Sequence, residues 1–181
     1  MRRLLLVRHC QSSGQHAEAS LTDLGHAQAR ALAERLAAHP IDRVVSSTYR
    51  RARETLAPFA ARAGLELHVD ERLVERRLSP EPIDGWRDVV ARSFVDPDFA
   101  VPGGESAREV LARGWAALES ILEAGHSLPA VASHGQLISL VLQRIDPSFG
   151  FADWEALSNP DVHLIERDER GRYSFRRLAP P

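Results

Sequence analysis

Two histidines and two arginines follow short apolar segments at widely separated points in the chain. Arg8 and His9 come directly after Leu4–Val7, Arg51 lies just beyond a second apolar segment, and His134 follows another one. A neutral imidazole can act as a nucleophile, and a guanidinium can hold an anion through two parallel hydrogen bonds. If these segments are neighbouring strands of one sheet, the four side chains converge on a single anion-binding pocket.

The spacing of apolar residues predicts the elements that would position these side chains. Short apolar runs predict strands at 4–7, 44–45, 65–69 and 130–133. Helical periodicity predicts helices that begin after the cap Thr22, near position 48, near position 105 and after position 135. Segments 162–165 and 173–175 have the pattern of a closing hairpin.

This alternation of strands and helices predicts an α/β protein, a three-layer α/β/α sandwich with a mainly parallel mixed sheet. A length of 181 residues fits a single domain spanning positions 1–181. Residues 70–103, which we call the excursion, are rich in proline and glycine, with one short helix expected near Trp86–Ser93. Long irregular segments of this kind often form lids or substrate loops, so we expect the excursion to cover the pocket.

Composition argues against several classes of function. A formal net charge of -2 gives no support for binding driven by the phosphates of a nucleic acid. No stretch approaches the length of about 20 apolar residues that a membrane helix needs. The single cysteine, Cys10, excludes an internal disulfide framework. We therefore expect a cytoplasmic protein with neither a nucleic-acid nor a membrane partner, and self-association as a homodimer stays open.

Short motifs between positions 6 and 135 carry further information because of their order. They are Leu6-Val7-Arg8-His9-Cys10-Gln11-Ser12, Leu21-Thr22-Asp23-Leu24-Gly25-His26-Ala27-Gln28-Ala29, Ser46-Ser47-Thr48-Tyr49-Arg50-Arg51-Ala52-Arg53-Glu54-Thr55, Leu73-Val74-Glu75, Pro102-Gly103-Gly104-Glu105-Ser106 and Ser133-His134-Gly135. Each motif alone is weak, but in this order the chain resembles the histidine phosphatase superfamily, with the phosphoglycerate mutase-like fold, over essentially its full length.

The resemblance implies a role for each of five residues. His9 would attack phosphorus and form a phosphohistidine, while Arg8, Arg51 and His134 would surround the phosphoryl oxygens. Glu75 would protonate the leaving oxygen and then activate water against the phosphohistidine. The implied activity is a phosphatase that needs no metal and no cofactor and acts on a small phosphorylated metabolite.

The resemblance also points to a phosphate cradle made of Gln11, Ser12, Gln15 and Gly135. Gln15 stands where many members have an asparagine, and its amide can make the same donor contact. Cys10 replaces the usual glycine after the nucleophile, and a small side chain fits there if the backbone avoids positive φ.

Several alternatives remain open at this level. Glu71 and Glu81 are close enough to Glu75 in sequence to be the proton donor instead. A cofactor-dependent phosphoglycerate mutase shares the nucleophile, although only about twelve residues separate His9 from the Leu21 motif, which favours an open site and hydrolysis. A non-catalytic phosphate-binding module is a third interpretation. A cysteine-nucleophile phosphatase is excluded because it needs an arginine six positions after the cysteine, where this chain has histidine.

Overall fold

A computed structural model describes residues 1–178 and contains one six-stranded mixed sheet. The strands are β1 (Arg2–Arg8), β2 (Arg43–Ser46), β3 (Leu67–Val69), β4 (Pro129–Ser133), β5 (Asp161–Arg167) and β6 (Tyr173–Arg177). Their order across the sheet is β3-β2-β4-β1-β5-β6. The pairs among β3, β2, β4 and β1 are parallel, whereas β5 is antiparallel to β1 and β6 is antiparallel to β5.

Helices connect the parallel strands, as the sequence predicts. They are α1 (Asp23–Leu36), α2 (Arg50–Ala63), α3 (Trp86–Ser93), α4 (Ala107–Glu123), α5 (Gly135–Ile145) and α6 (Phe151–Glu155), with one short 3-10 helix at Glu71–Leu73. The predicted cap at Thr22 is confirmed, because its hydroxyl accepts a hydrogen bond from the backbone N–H of Gly25 at 3.0 Å. Among the described residues, no helix combines the length and apolar character needed to cross a bilayer.

The central strand β1 separates two hydrophobic cores because its side chains alternate between the faces of the sheet. Leu4 and Leu6 pack with α4 and α5 on one face. Leu5 and Val7 pack with α1 and α2 on the other face. These four side chains are 0–1% exposed, and burial of each contributes roughly 1.5–3 kcal/mol. The predicted three-layer α/β/α sandwich is thereby confirmed.

The register of the parallel strands brings their carboxyl ends to one edge of the sheet. Arg8 of β1 lies opposite Ser133 of β4, and Ser46 of β2 lies opposite Ala132. The pairing continues one residue further, since the N–H of His9 donates to the carbonyl of Ser133 at 3.1 Å. The residues that follow these three strands therefore start from the same level.

Helix α2 begins two residues later than the predicted start near position 48. The Ser47 hydroxyl accepts a hydrogen bond from the Tyr49 N–H at 3.2 Å, which holds a turn ahead of the helix. Arg51 is consequently the second residue of α2, in its first turn.

Strand β3 is shorter than predicted, and α6 was not predicted at all. The N–H of Leu65 donates to the carbonyl of Ala60 at 3.0 Å, so Leu65 belongs to the end of α2 and the strand starts at Leu67. Helix α6 has only five residues and no buried apolar face, which leaves no periodic pattern to recognise.

The excursion contains α3 at the predicted position and is tied to the rest of the domain by a buried arginine. Arg76 is 4% exposed, and its guanidinium donates to the carbonyls of Glu105 at 2.8 Å and Phe99 at 3.4 Å and to the hydroxyl of Ser93. These contacts join the start of the excursion to α3 and to the segment that leads into α4.

Candidate active site

His9 follows the last residue of β1, and both of its ring nitrogens have defined partners. Nδ1 lies 2.7 Å from the carbonyl oxygen of Cys10, which can only accept, so Nδ1 carries the proton. Nε2 accepts a hydrogen bond from Nε of Arg51 at 3.1 Å. Nε2 is therefore unprotonated, and its lone pair can attack an electrophile once the Arg51 N–H turns to another acceptor.

The surroundings of His9 keep its imidazole neutral. Burial lowers the pKa of His9 to about 3, with smaller contributions from the positive charges of Arg51 and Arg8, against the opposing effect of the Cys10 hydrogen bond. A neutral imidazole with a fixed tautomer is the form that a nucleophilic histidine needs.

Arg8 is held close to Gly135 at the start of α5. Its Nη1 donates to the carbonyls of Leu157 at 2.7 Å and Ser158 at 3.4 Å. A Cβ atom at position 135 would lie 3.3 Å from Nε and Nη2 of Arg8 and 3.3 Å from the indole nitrogen of Trp154. A side chain at position 135 would therefore require the guanidinium or the indole to move by a few tenths of an ångström.

Arg51 lies next to the nucleophile but is fully buried. Its Nη1 donates to the carbonyl oxygens of Gln15 and His16, at 3.0 Å each. The aromatic ring of Tyr49 packs on the guanidinium, with 4.9 Å between Cζ and the ring centroid. Arg51 therefore lies beneath the surface of the pocket and contacts His9 from the protein interior.

His134 is also fully buried, with its ring centroid 5.2 Å from that of His9. Its Nε2 is 2.8 Å from the hydroxyl of Ser47, and the edge of Tyr49 packs against its ring at 5.1 Å. Burial, followed by the charge of Arg51, lowers the pKa of His134 well below its ordinary value. The structure thus brings both histidines together in neutral form.

Glu75 lies at the amino end of α5, where it accepts hydrogen bonds from backbone N–H groups. Its two carboxylate oxygens accept from the backbone N–H groups of Arg76 at 2.9 Å, Gln136 at 3.2 Å and Leu137 at 3.3 Å. Glu75 shares its pocket with His9, whereas Glu71 is exposed on the 3-10 helix and does not line it. Glu81 lies in the pocket wall but is exposed.

A cavity of about 700 Å³ joins most of the predicted site residues. The predicted residues that line it are Arg8, His9, Gln11, Ser12, Gln15, Glu75 and Gly135. Arg51 and His134 do not line it, because the Gln15-His16 backbone and the Tyr49 ring lie over them. We call this cavity the pocket; its opposite wall consists of excursion residues and of Trp154.

The predicted cradle residues are fixed by their own contacts. The side-chain oxygen of Gln11 accepts from the hydroxyl of Thr22 at 2.7 Å, and the hydroxyl of Ser12 donates to the carbonyl of Gly14 at 3.1 Å. Gln11 and Gln15 are both exposed and line the pocket.

Cys10 fits the position that usually holds glycine. No non-glycine residue in the described part of the chain has positive φ, so the condition stated for Cys10 is met. Its N–H donates to the hydroxyl of Thr55 at 2.9 Å, and burial raises the pKa of its thiol to about 11. The thiol stays protonated and packs as a small apolar group.

Two residues of the pocket were missed by sequence reasoning. The side-chain amide of Asn159 donates to the carbonyl of His9 at 2.6 Å, across 150 positions of sequence. Trp154 belongs to none of the sequence motifs, yet it lines the pocket. No local pattern connects either position to His9, so only the three-dimensional arrangement reveals them.

Three buried polar atoms of the site have no hydrogen-bond partner within residues 1–178. They are Nε of Arg8, Nη2 of Arg51 and Nδ1 of His134. Burial lowers the pKa of Arg8 and of Arg51, although an arginine remains charged in a protein. The same part of the chain holds no group of three potential metal-binding side chains. A tetrahedral oxyanion would supply acceptors for the two guanidinium donors.

We expect His9 to remain neutral over the whole physiological pH range. Because its pKa is lowered to about 3, protonation requires a pH far below the ordinary titration range of histidine. Nitrogen-15 NMR of labelled protein should show the Nδ1–H tautomer without titration between about pH 8 and pH 5. A midpoint between about pH 6 and pH 7 for His9 would contradict this description.

We expect orthovanadate to stabilise the protein through Arg51. At about 100 times its Kd it should add about 2.7 kcal/mol to the free energy of unfolding and raise Tm by about 5–10 °C. Arg51→Gln should remove at least about half of that shift. Arg62→Gln changes an exposed ion pair at the far end of the same helix and should keep the full shift. An unchanged shift in Arg51→Gln would place the anion elsewhere.

Comparison with known proteins agrees with this geometry. The model of the histidine phosphatase superfamily (branch 1) matches residues 4–178. A protein of Salmonella choleraesuis named probable phosphoglycerate mutase GpmB is 30% identical over 194 residues, covering 93% of this chain and 86% of its own. Its namesake from Cronobacter sakazakii is 32% identical over 167 residues, with 80% and 75% covered.

Among solved structures, a mycobacterial glucosyl-3-phosphoglycerate phosphatase superimposes with a TM-score of 0.79 at 26% identity, and the match covers 99% of each chain. The family match extends over nearly the whole sequence, and the sheet and helices agree with this neighbour. The chain belongs to the histidine phosphatase superfamily, branch 1.

Proposed function

We propose that this protein is a phosphomonoester hydrolase that acts through a phosphohistidine at His9 and needs no metal ion or other cofactor. The observation that carries the proposal is the fixed, neutral imidazole, whose Nδ1–H donates to the Cys10 carbonyl and whose unprotonated Nε2 accepts from Arg51. Its substrate is a small phosphorylated metabolite, because the pocket is a cavity of about 700 Å³ and not an extended surface groove.

In the first half-reaction, Nε2 of His9 attacks phosphorus in line with the departing oxygen. The P–N bond forms as the P–O bond breaks, and Glu75 gives its proton to the leaving oxygen. The Nε–H of Arg51 donates to Nε2 of His9 in the resting protein, and during the attack it donates to a phosphoryl oxygen instead. The charges of Arg8 and Arg51 stabilise the transition state, together with the neutral donor His134.

In the second half-reaction, water replaces the departed alcohol. The Glu75 carboxylate takes a proton from this water, whose oxygen attacks phosphorus and breaks the P–N bond to His9. Inorganic phosphate leaves, and Glu75 is protonated for the next cycle. Structures of the mycobacterial phosphatase have been solved with inorganic phosphate and with VO3, which supports the binding of an oxyanion by this fold.

A mutase is the second candidate, and the names of the Salmonella and Cronobacter relatives favour it. A mutase must keep water from the phosphohistidine until the phosphoryl group returns to a second hydroxyl. Here the rim residues Gln11, Gln15 and Trp86 are exposed, which supports water access and hydrolysis. With 3-phosphoglycerate as the probe, release of inorganic phosphate supports the hydrolase, and conversion to 2-phosphoglycerate supports the mutase.

We expect wild-type protein to hydrolyse simple phosphomonoesters in the presence of a chelator and to carry a labelled phosphoryl group on His9. His9→Ala should lower kcat by at least about 10³-fold and abolish the acid-labile label, because no other group can form the intermediate. His39→Ala, an exposed histidine, is the matched control. Absence of both turnover and label in the wild type would support a non-catalytic phosphate-binding module.

We expect Glu75→Gln to lower kcat by about 10²- to 10⁴-fold on alkyl phosphates, whose leaving oxygens need a proton. The loss should be smaller on 4-nitrophenyl phosphate, whose leaving group departs without protonation. Glu71→Gln should match the wild type, because Glu71 lies outside the pocket. If Glu81→Gln rather than Glu75→Gln gave this pattern, the proton donor would be Glu81.

A further inference from the structure

Part of the pocket lining is apolar. The excursion and α6 contribute Leu78, Pro80, Pro82, Ile83, Trp86 and Trp154, which we call the apolar wall. Cavities of about 300–1,000 Å³ commonly enclose whole small ligands, so this pocket has room for more than a phosphoryl group. The apolar wall is therefore available to the organic part of the substrate.

The wall is held in place by aromatic contacts between α3 and α6. The rings of Trp86 and Trp154 meet edge to face, 6.1 Å apart at 80°. Phe151 stacks on Trp154 at 5.3 Å, and Phe94 from the end of α3 packs against Phe151 at 6.3 Å. This row fixes Trp86, although 47% of its surface is exposed. An ordered, half-exposed indole is a surface that a flat ligand can cover at low entropic cost.

The charged side chains of the excursion give this wall no net positive charge. The Arg76 guanidinium is used by two backbone carbonyls and a serine hydroxyl. Arg77 and Glu81 both line the pocket and carry opposite charges, and the backbone N–H of Arg77 donates to the carboxylate of Glu105 at 2.9 Å. A substrate with a carboxylate here would therefore meet a wall without net charge, whereas a neutral substrate has no charge to desolvate.

We propose that the apolar wall selects phosphomonoesters whose organic part is a neutral, flat, aromatic group, in preference to phosphoglycerate and other polar phosphates. This inference rests on the proposed function, because it places the phosphate at His9. The aromatic group lies against Trp86 and the edge of Trp154, and the phosphate reaches Arg8 at the other end of the pocket.

Binding to His9→Ala tests the inference without any turnover. Calorimetry should show 2-naphthylmethyl phosphate binding at least about tenfold more tightly than ethyl phosphate or 3-phosphoglycerate, because only the first covers the wall. Trp86→Ala in the same background should remove most of that preference, and Trp86→Phe should keep it. Val95→Ala changes an apolar residue that is 87% exposed outside the pocket and should alter nothing.

Turnover by protein that retains His9 gives an independent readout. Both 2-naphthylmethyl and ethyl phosphate release primary alcohols of similar basicity, so kcat/KM compares recognition and not leaving-group reactivity. Trp86→Ala should raise KM for the naphthyl ester by about tenfold and change kcat/KM for ethyl phosphate much less, because ethyl phosphate covers little of the wall. A circular dichroism melt of each variant checks that the fold is intact.

Each outcome bears on one of the two proposals. Equal or tighter binding of 3-phosphoglycerate, or a preference that survives Trp86→Ala, would overturn the inference about the wall. Turnover of all esters without preference would also overturn it and leave the hydrolase intact. Tight naphthyl binding that depends on Trp86, without turnover of any ester, would support the wall and refute the hydrolase.

Discussion

The parallel register of β1, β4 and β2 is the constraint on which the site depends. Arg8 opposite Ser133, and Ser46 opposite Ala132, bring three strand ends to one level. From that level the chain continues into His9, into His134 and into the turn before Arg51. A slip of one residue in β1 would exchange the faces of its side chains and bury Leu4 and Leu6 against the wrong helices. The core therefore enforces the geometry of the site.

The sequence predicted the fold and most of the pocket because these depend on local patterns. Apolar runs marked the strands, periodicity marked the longer helices, and ordered motifs placed Arg8, His9 and Glu75 together. The burial of Arg51 and His134 could not be predicted, since it results from Tyr49 and from backbone carbonyls of a loop more than thirty residues away. Asn159 escaped for the same reason, because its contact with His9 spans 150 positions. Trp154 escaped because its contacts with Gly135 and Trp86 exist only in the folded chain.

The two ends of the pocket have separate structural origins. The phosphate end is built from strand ends and the start of α5, which are fixed by the two hydrophobic cores. The apolar wall is built from the excursion and α6, which the Trp86–Trp154 contact and the Arg87–Glu155 ion pair hold together. Changes within the excursion can therefore alter what is recognised without disturbing the sheet that positions His9.

The unpartnered nitrogens of Arg8, Arg51 and His134 carry a thermodynamic consequence for the evolution of this chain. A buried polar group without a partner costs roughly 1–3 kcal/mol. A domain is stable by only about 5–15 kcal/mol, so three such groups are a substantial burden on the resting protein. Apolar replacements of similar shape at these positions would remove that cost. Selection for stability alone would therefore disfavour these three side chains, so their presence agrees with the function proposed for the site.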